Sequence, residues 1–328
     1  MSKDVGWPLL DCIVVGDVMM DVILKSDQKM VNSLEVGGTN YFHSSRIVPG
    51  GSGNVAAALS HLGAKVALVG KAGNDVYGRF YIQNLESMNI LPAIEFDDSA
   101  STGLTVSMVE ANGHRTMLVS RGANDNFTAQ ELTRLLHGLG PAKFVYLSGY
   151  SMVNLPQREA ILEAGRIGRE SGSQIVFDPG SANLIKGLPI MFEQVIGFCD
   201  ILCANLAESM VLADSMDVSE YAKLLSRRGK KVIIKIGHEG CLVSAAGDIS
   251  KVPGITASAV DTTGAGDAFL GALLYCLSLD RDLTLSASFA NWFAARKTEG
   301  LGPRHFPSRE DSDAFLKSSY PETILEKE

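Results

Sequence analysis

From residue 64 onward the chain alternates short β-rich runs with segments of helical period, and this alternation restricts the possible folds more than any other feature of it. Residues 65–70 precede a helical stretch at 79–88, and 144–147 precede 156–170. The rhythm continues with strand-like 174–177, helical 191–198, strand-like 201–203, helical 206–213 and strand-like 231–235. Extended runs separated by helices cannot pair through tight hairpins, so they are expected to lie side by side in a mainly parallel sheet with helices on both faces. With 328 residues, 46% of them hydrophobic, the chain can bury one large core. No repeat, linker or low-complexity tract divides it, so a single α/β domain over 1–328 is expected, ending in a polar tail after Lys317.

Two segments break the rhythm. Residues 18–48 are extended without helical period, and 103–120 read as a hairpin because β-rich runs flank Asn112-Gly113, the dipeptide that type I′ turns prefer. Together they predict a small sheet projecting from the core.

Net charge of −8 with scattered Lys and Arg argues against a nucleic-acid or membrane-surface footprint and favours a small-molecule partner. The five cysteines form no CxxC pair and sit in apolar runs, as core residues in a reducing cytoplasm do. The N-terminus has no apolar region of signal-peptide type, and no apolar run is long enough to span a bilayer.

The strongest chemical signal is Asp261-Thr262-Thr263-Gly264-Ala265-Gly266-Asp267, which follows a short β-like run at 255–260 and opens an apolar helix over 268–279. Glycines permit a tight turn, and a helix N-terminus directs unpaired N–H groups and a positive dipole end outward, so an anion can settle there. Asp267 in the first helical turn can reach a hydroxyl over that site as a general base, with the Gly264, Ala265 and Gly266 amides stabilising a transferring phosphoryl group. It can equally do no more than complement the helix dipole.

A second glycine-rich segment, Gly50-Gly51-Ser52-Gly53-Asn54-Val55-Ala56, precedes an apolar helical stretch to Leu62. Asn54 offers both donor and acceptor to sugar hydroxyls. Gly51, Gly53 and Ala56, with Asp75 further on, also match the dinucleotide-binding fingerprint and open an NAD-dependent oxidoreductase reading. That fingerprint needs a buried parallel strand before it, whereas 44–49 contains Arg46 and ends in a proline.

These two segments, with Gly16-Asp17-Val18-Met19-Met20-Asp21, resemble the PfkB family of carbohydrate and nucleoside kinases over 13–307. The resemblance implies a ribokinase-like α/β/α core, a β-sheet lid formed by about 18–48 and 103–120, and phosphoryl transfer from ATP with Mg²⁺. It implies Gly264, Ala265, Gly266 and Asp267 as anion hole and base, and Asp21, Gly50, Gly51 and Asn54 as substrate-binding residues. Asn205-Leu206-Ala207-Glu208 is similar to the family's NxxE motif, which puts Glu208 near Mg²⁺ through water and Asn205 near the nucleotide. The same four residues also suit a helix capping box. Lys235, the glycine turn Gly237-His238-Glu239-Gly240 and Asn291 fall where the family contacts nucleotide, and Lys235 is placed to meet either phosphate or solvent.

Activation by K⁺ through backbone carbonyls and a homodimer through the lid are further family traits that the resemblance brings. No GxxxxGK[ST] sequence is present, and the six histidines show no metal-ligand spacing. Met19 stands where many sugar kinases of the family have Asn, which leaves the acceptor open between a polyol-type sugar, a sugar derivative and a nucleoside. His43, Arg46, His114, Arg115 and Arg121 lie on or beside the expected lid, either solvated or facing an anionic substrate. A non-catalytic ligand-binding protein on the same fold is the remaining reading.

Overall fold

The structure, a computed structural model, describes residues 9–25, 37–110, 115–214 and 216–319. Its strands are β1 (Leu10–Val15), β2 (Val18–Lys25), β3 (Ser44–Gly51), β4 (Val66–Gly73), β5 (Ile90–Asp97), β6 (Gly103–Val109), β7 (Arg115–Ser120), β8 (Ala142–Ser148), β9 (Gln174–Asp178), β10 (Ile201–Asn205), β11 (Lys231–Lys235), β12 (Gly240–Ala245) and β13 (Asp248–Pro253). The helices are α1 (Gly53–His61), α2 (Val76–Ser87), α3 (Ala129–Leu139), α4 (Gln157–Glu170), α5 (Ala182–Gly187), α6 (Pro189–Phe198), α7 (Leu206–Leu212), α8 (Val218–Arg227), α9 (Ala265–Ser278), α10 (Leu283–Thr298) and α11 (Arg309–Ser319). The expected strand–helix rhythm is present, with boundaries displaced by a few residues.

Nine strands form one sheet in the order β13-β12-β11-β10-β9-β8-β1-β4-β5. The run from β11 to β5 is parallel throughout, and β12 and β13 add antiparallel at one edge. Side chains of a strand alternate between faces, and here the alternation divides the core in two. Cys12 and Val14 of β1 join Leu68, Tyr146 and Cys203 under α1, α9 and α10. Ile13 and Val15 join Val69, Leu147 and Leu202 under α3, α4, α6 and α8. Both faces are therefore covered, which is why the strands read as continuous apolar runs.

All five cysteines are buried and unpaired. Among the described residues no helix is long and apolar enough to cross a membrane.

A second, four-stranded sheet has the order β3-β2-β6-β7. β2 pairs antiparallel with β3 and parallel with β6, and β6 pairs antiparallel with β7. Buried Asn124 fixes where it leaves the core, accepting from Val18 N at 2.8 Å and donating to Val18 O at 2.9 Å. Its outer strand β7 exposes Met117, Leu118 and Val119. The Asn112-Gly113 turn, His114 and residues 26–36 lie outside the described residues, as does the Arg115 side chain.

The expectation of a β-like run at 255–260 is not met, because this stretch forms no strand. The edge strand β13 has already ended at Pro253, and 255–260 finds no ladder partner. It is instead held by Arg296 donating to Thr256 O at 2.9 Å and by Val260 N donating to Thr298 O at 2.7 Å.

The relation of α1 to α9 positions the chemistry. A Cβ placed at Gly271 would stand 2.5 Å from Ala58 Cβ, so only glycine permits this crossing. Four residues before each of these lie Asn54 and Asp267, so the helices run parallel with both N-termini at the same end. We expect Gly271→Ala to destabilise the fold by about 1–2 kcal/mol, overpacking outweighing the better helix propensity. Gly138→Ala in α3, where a Cβ meets nothing within 4 Å, should stabilise it by about 0.5–1 kcal/mol. Denaturant melts of the two variants check the contrast; equal effects would remove the steric account of the α1–α9 crossing.

Candidate active site

In an open parallel sheet, ligands gather beyond the carboxyl ends of the strands where the strand order reverses direction. Here the order reverses around β1 and β8, and the residues at or just past those ends are polar: Asp17 after β1, Ser148 on β8, Asp178 on β9, Asn205 on β10 and Lys235 on β11. All five line a cavity of about 400 Å³, joined by Asp21 and Thr105 from the small sheet, Gly51, Ser52 and Asn54 from the entry to α1, and Gly264, Ala265, Gly266 and Asp267 from the entry to α9.

Asp267 is open to this cavity on one side. Asn54 Nδ2 donates to Asp267 Oδ2 at 3.3 Å, and Asn54 Oδ1 accepts from Arg304 Nε at 3.0 Å. The arginine thereby fixes which way the Asn54 amide faces. Burial first, and then the negative charge of Asp178, push the Asp267 carboxyl up to about 6, while Lys235, Asn54 and Arg304 oppose the rise. A carboxylate in that range is ionised at neutral pH and basic enough to take a proton.

Gly264, at φ +73°, caps α9 in the left-handed region, where glycine is unstrained. Ala265 N donates back to Thr262 O at 3.1 Å, so this amide of the expected anion hole is already engaged in the turn.

Around Asp267 the charges are unbalanced. Lys235 Nζ lies 3.2 Å from Asp178 Oδ2, and Gly180 N donates to Asp178 Oδ1 at 3.0 Å. Glu208 is buried at the start of α7, where the capping box is realised: Asn205 N donates to Glu208 Oε2 and Glu208 N donates to Asn205 Oδ1, both at 2.9 Å. Burial and then Asp178 raise the Glu208 carboxyl. Three carboxylates thus share one ammonium, an arrangement that suits a hard cation retaining water and bound to phosphate oxygens. Among the described residues no group of three or more His, Cys, Asp or Glu is placed to hold a metal ion by itself.

The remaining expected residues are distributed as follows. Asp21 lines the cavity, and Gly50 lies directly against its carboxylate with no room for a side chain. Met19 also lines the cavity, with Asn124 Nδ2 3.4 Å from its sulfur. Gly237 and Gly240 bound the turn between β11 and β12, beyond the residues that line the cavity. Asn291 on α10 donates to Val252 O at 3.2 Å and Pro253 O at 3.1 Å, bracing the end of β13.

The dinucleotide fingerprint lacks its structural context. β3 is an antiparallel edge strand of the small sheet. Asp75 caps α2, accepting from Gly78 N at 2.8 Å and Thr102 N at 2.8 Å.

Of the basic residues expected beside the lid, Arg121 is committed to protein. Its Nη1 and Nη2 donate to Asp17 at 2.9 and 3.2 Å and its Nε to Asp125 at 2.7 Å. Ser151 and Gln157 complete the shell of Asp17. Arg46 and His43 are exposed.

Sequence reasoning missed Asp178, Arg304 and the pairing of Asp17. Asp178 had a usable signal, a polar residue ending an apolar strand directly before Pro179-Gly180. Arg304 had none, since its partners Asn54 and Asn84 lie more than two hundred residues away in sequence.

The chain is similar over most of its length to known kinases. The family model for pfkB family carbohydrate kinase matches residues 10–309. A ribokinase from Mus musculus is 30% identical over 316 residues, covering 91% of this chain and 92% of its own length. The structure of aminoimidazole riboside kinase from Salmonella enterica, complexed with aminoimidazole riboside and an ATP analogue, aligns with a TM-score of 0.76 at 25% identity, covering 93% of this chain and 99% of that one. A candidate ribokinase II from E. coli in complex with ATP and Mg²⁺ shares the fold with a TM-score of 0.82 at 20% identity, covering 94% and 100%.

The raised Asp267 carboxyl has a consequence for stability. Its proton is held more tightly in the folded than in the unfolded chain, so the protein loses stability as pH rises from about 4 through about 6. Asp267→Asn, which mimics the protonated form, should therefore be more stable than the wild type at pH 7 by on the order of 1 kcal/mol, a figure kept small because solvent in the cavity screens the charge. The difference should vanish below pH 4. Melting curves of both proteins across this range test it; a variant less stable at pH 7 would contradict the buried-charge reading.

Proposed function

The chain belongs to the pfkB family of carbohydrate kinases, and from that premise we propose that Asp267 is the general base in transfer of the ATP γ-phosphoryl group to a hydroxyl of a sugar or nucleoside. The observation that carries this reading is the position of Asp267: in the first turn of α9, raised toward neutrality, beside Asn54 and facing one cavity with Asp21, Asp178 and Lys235.

In this mechanism Asp21 and Asn54 hold hydroxyls of the acceptor and orient one of them toward Asp267. The Asp267 carboxylate takes the hydroxyl proton as the hydroxyl oxygen bonds to the γ-phosphorus, and the bond from that phosphorus to the β–γ bridging oxygen breaks to release ADP. The N-terminus of α9 faces the charge on the transferring group, with the Gly264 and Gly266 amides as its donors. Mg²⁺, bound with the nucleotide, would supply neutralisation of phosphate charge. Glu208 and Asn205 would hold that ion through water, and Lys235, which balances Asp178, would face the phosphates.

The small sheet lies over the acceptor end, with Asp21 and Thr105 turned inward. It acts as a lid whose closure excludes water and suppresses ATP hydrolysis. Because Arg121 is committed to Asp17 and Asp125, it offers no charge to an anionic acceptor, which favours an uncharged polyol; Met19 in the pocket floor favours one with an apolar edge.

The deciding experiment is a coupled ATP-to-ADP assay over sugars, sugar phosphates, keto-sugar acids and nucleosides, with wild type and Asp267→Asn in parallel. Turnover of a neutral sugar or nucleoside, reduced at least a thousand-fold in kcat by the substitution with ATP binding retained, is the expected result. A variant keeping most of its kcat would defeat the assignment of the base.

A pH profile adds a second check. The acid limb of kcat/KM should fall with an apparent pKa near 6. In Lys235→Met that limb should move to higher pH, since the remaining carboxylates lose their shared cation. An unmoved limb would separate Lys235 from Asp267 electrostatically.

A further inference from the structure

Lys297 is a lysine with 0% exposure, and lysines are almost never fully buried unless a partner holds the charge. It lies in the last turn of α10, and its Nζ donates to the main-chain oxygen of Asp261 at 2.7 Å. Asp261 begins the turn that carries Gly264, Gly266 and Asp267.

The rest of that residue is tied down as well. The Asp261 carboxylate accepts from Thr263 N at 2.9 Å and Gly302 N at 2.8 Å, and Asp261 N donates to Thr298 O at 3.0 Å. Burial acts to raise the Asp261 carboxyl, but the Thr263 and Gly302 bonds and the Lys297 charge hold it below the usual range. The ammonium therefore stands between the carbonyl end of α10 and the base of the phosphoryl-binding turn, where a positive charge is favourable on both sides.

A buried ammonium facing main-chain oxygen has the charge and ligand preference of a monovalent cation. The family resemblance implies K⁺ bound to backbone carbonyls, yet the Asp261 carbonyl beneath the anion site is taken by the chain's own ammonium. We propose that Lys297 is a tethered monovalent cation: a positioning residue that holds the Asp261 turn in its productive shape and makes phosphoryl transfer independent of K⁺. It rests on the reading of Asp267 and the α9 N-terminus given above.

The test compares KCl, NH₄Cl and choline chloride at equal ionic strength, reading both kcat and melting temperature. Wild type should differ less than two-fold in kcat between the salts and melt at the same temperature in each. Lys297→Ala, which opens a cation-sized space, should lose at least ten-fold in kcat with little change in the KM for ATP. K⁺ or NH₄⁺, but not choline, should restore part of the rate and raise its melting temperature. Lys297→Met, which fills the space without charge, should lose rate and gain nothing from salt.

Several-fold activation of the wild type by K⁺ over choline overturns the proposal, as does a Lys297→Ala protein that responds identically to all three salts. If Lys297→Ala does not fold, the wild-type comparison decides. If the wild type phosphorylates nothing, the kinase mechanism fails by itself, and the melting temperatures of Lys297→Ala then decide this inference alone.

Discussion

The close crossing of α1 and α9 at Gly271 is the constraint from which the site follows. Two helices that meet with only the Ala58 methyl group against Gly271, and that run in the same direction, bring their N-terminal turns to one place. Each turn supplies one group, Asn54 from α1 and Asp267 from α9. Both helix N-termini direct their positive dipole ends toward one cavity.

Against that positive edge the sheet sets a negative one. Asp178 and Glu208 reach the cavity from the ends of β9 and β10, and Lys235 from β11 compensates only part of their charge. Burial first, and then the charge of Asp178, push the Asp267 carboxyl up to about 6. Arg304 contributes from the far side of Asn54, turning the amide so that its NH₂ faces the carboxylate. The basicity of a single carboxyl group is therefore shared among residues from both glycine-rich segments, two strand ends and the segment after α10.

A second buried charge system, which borders the same cavity, joins the core to the small sheet. Arg121, just beyond β7, is bound bidentately by Asp17, just beyond β1, while Asn124 holds the first residue of β2. These contacts lie at the root of the small sheet and leave its outer strand exposed. A sheet fixed at its base and exposed at its rim can close over a ligand without disturbing the core.

The local chemistry of the elements was legible in the sequence. Alternation of extended and helical runs determined a parallel sheet with helices on both faces, because period 2 and period 3.6 impose different side-chain directions. The turn before Asp267, the capping box of Asn205 and Glu208, and the edge character of 44–49 depend on neighbours within a few residues and could be read directly. The run at 255–260 misled, since β-like composition forms a strand only where a ladder partner exists. Only the tertiary structure decided that Asp178 faces Lys235, that Arg304 orients Asn54, that Arg121 belongs to Asp17, and that Lys297 lies buried under the Asp261 turn. Each of these is a charge whose role is set by what stands opposite it, and electrostatic and hydrogen-bond partners are determined by distance in space, which a linear pattern does not encode.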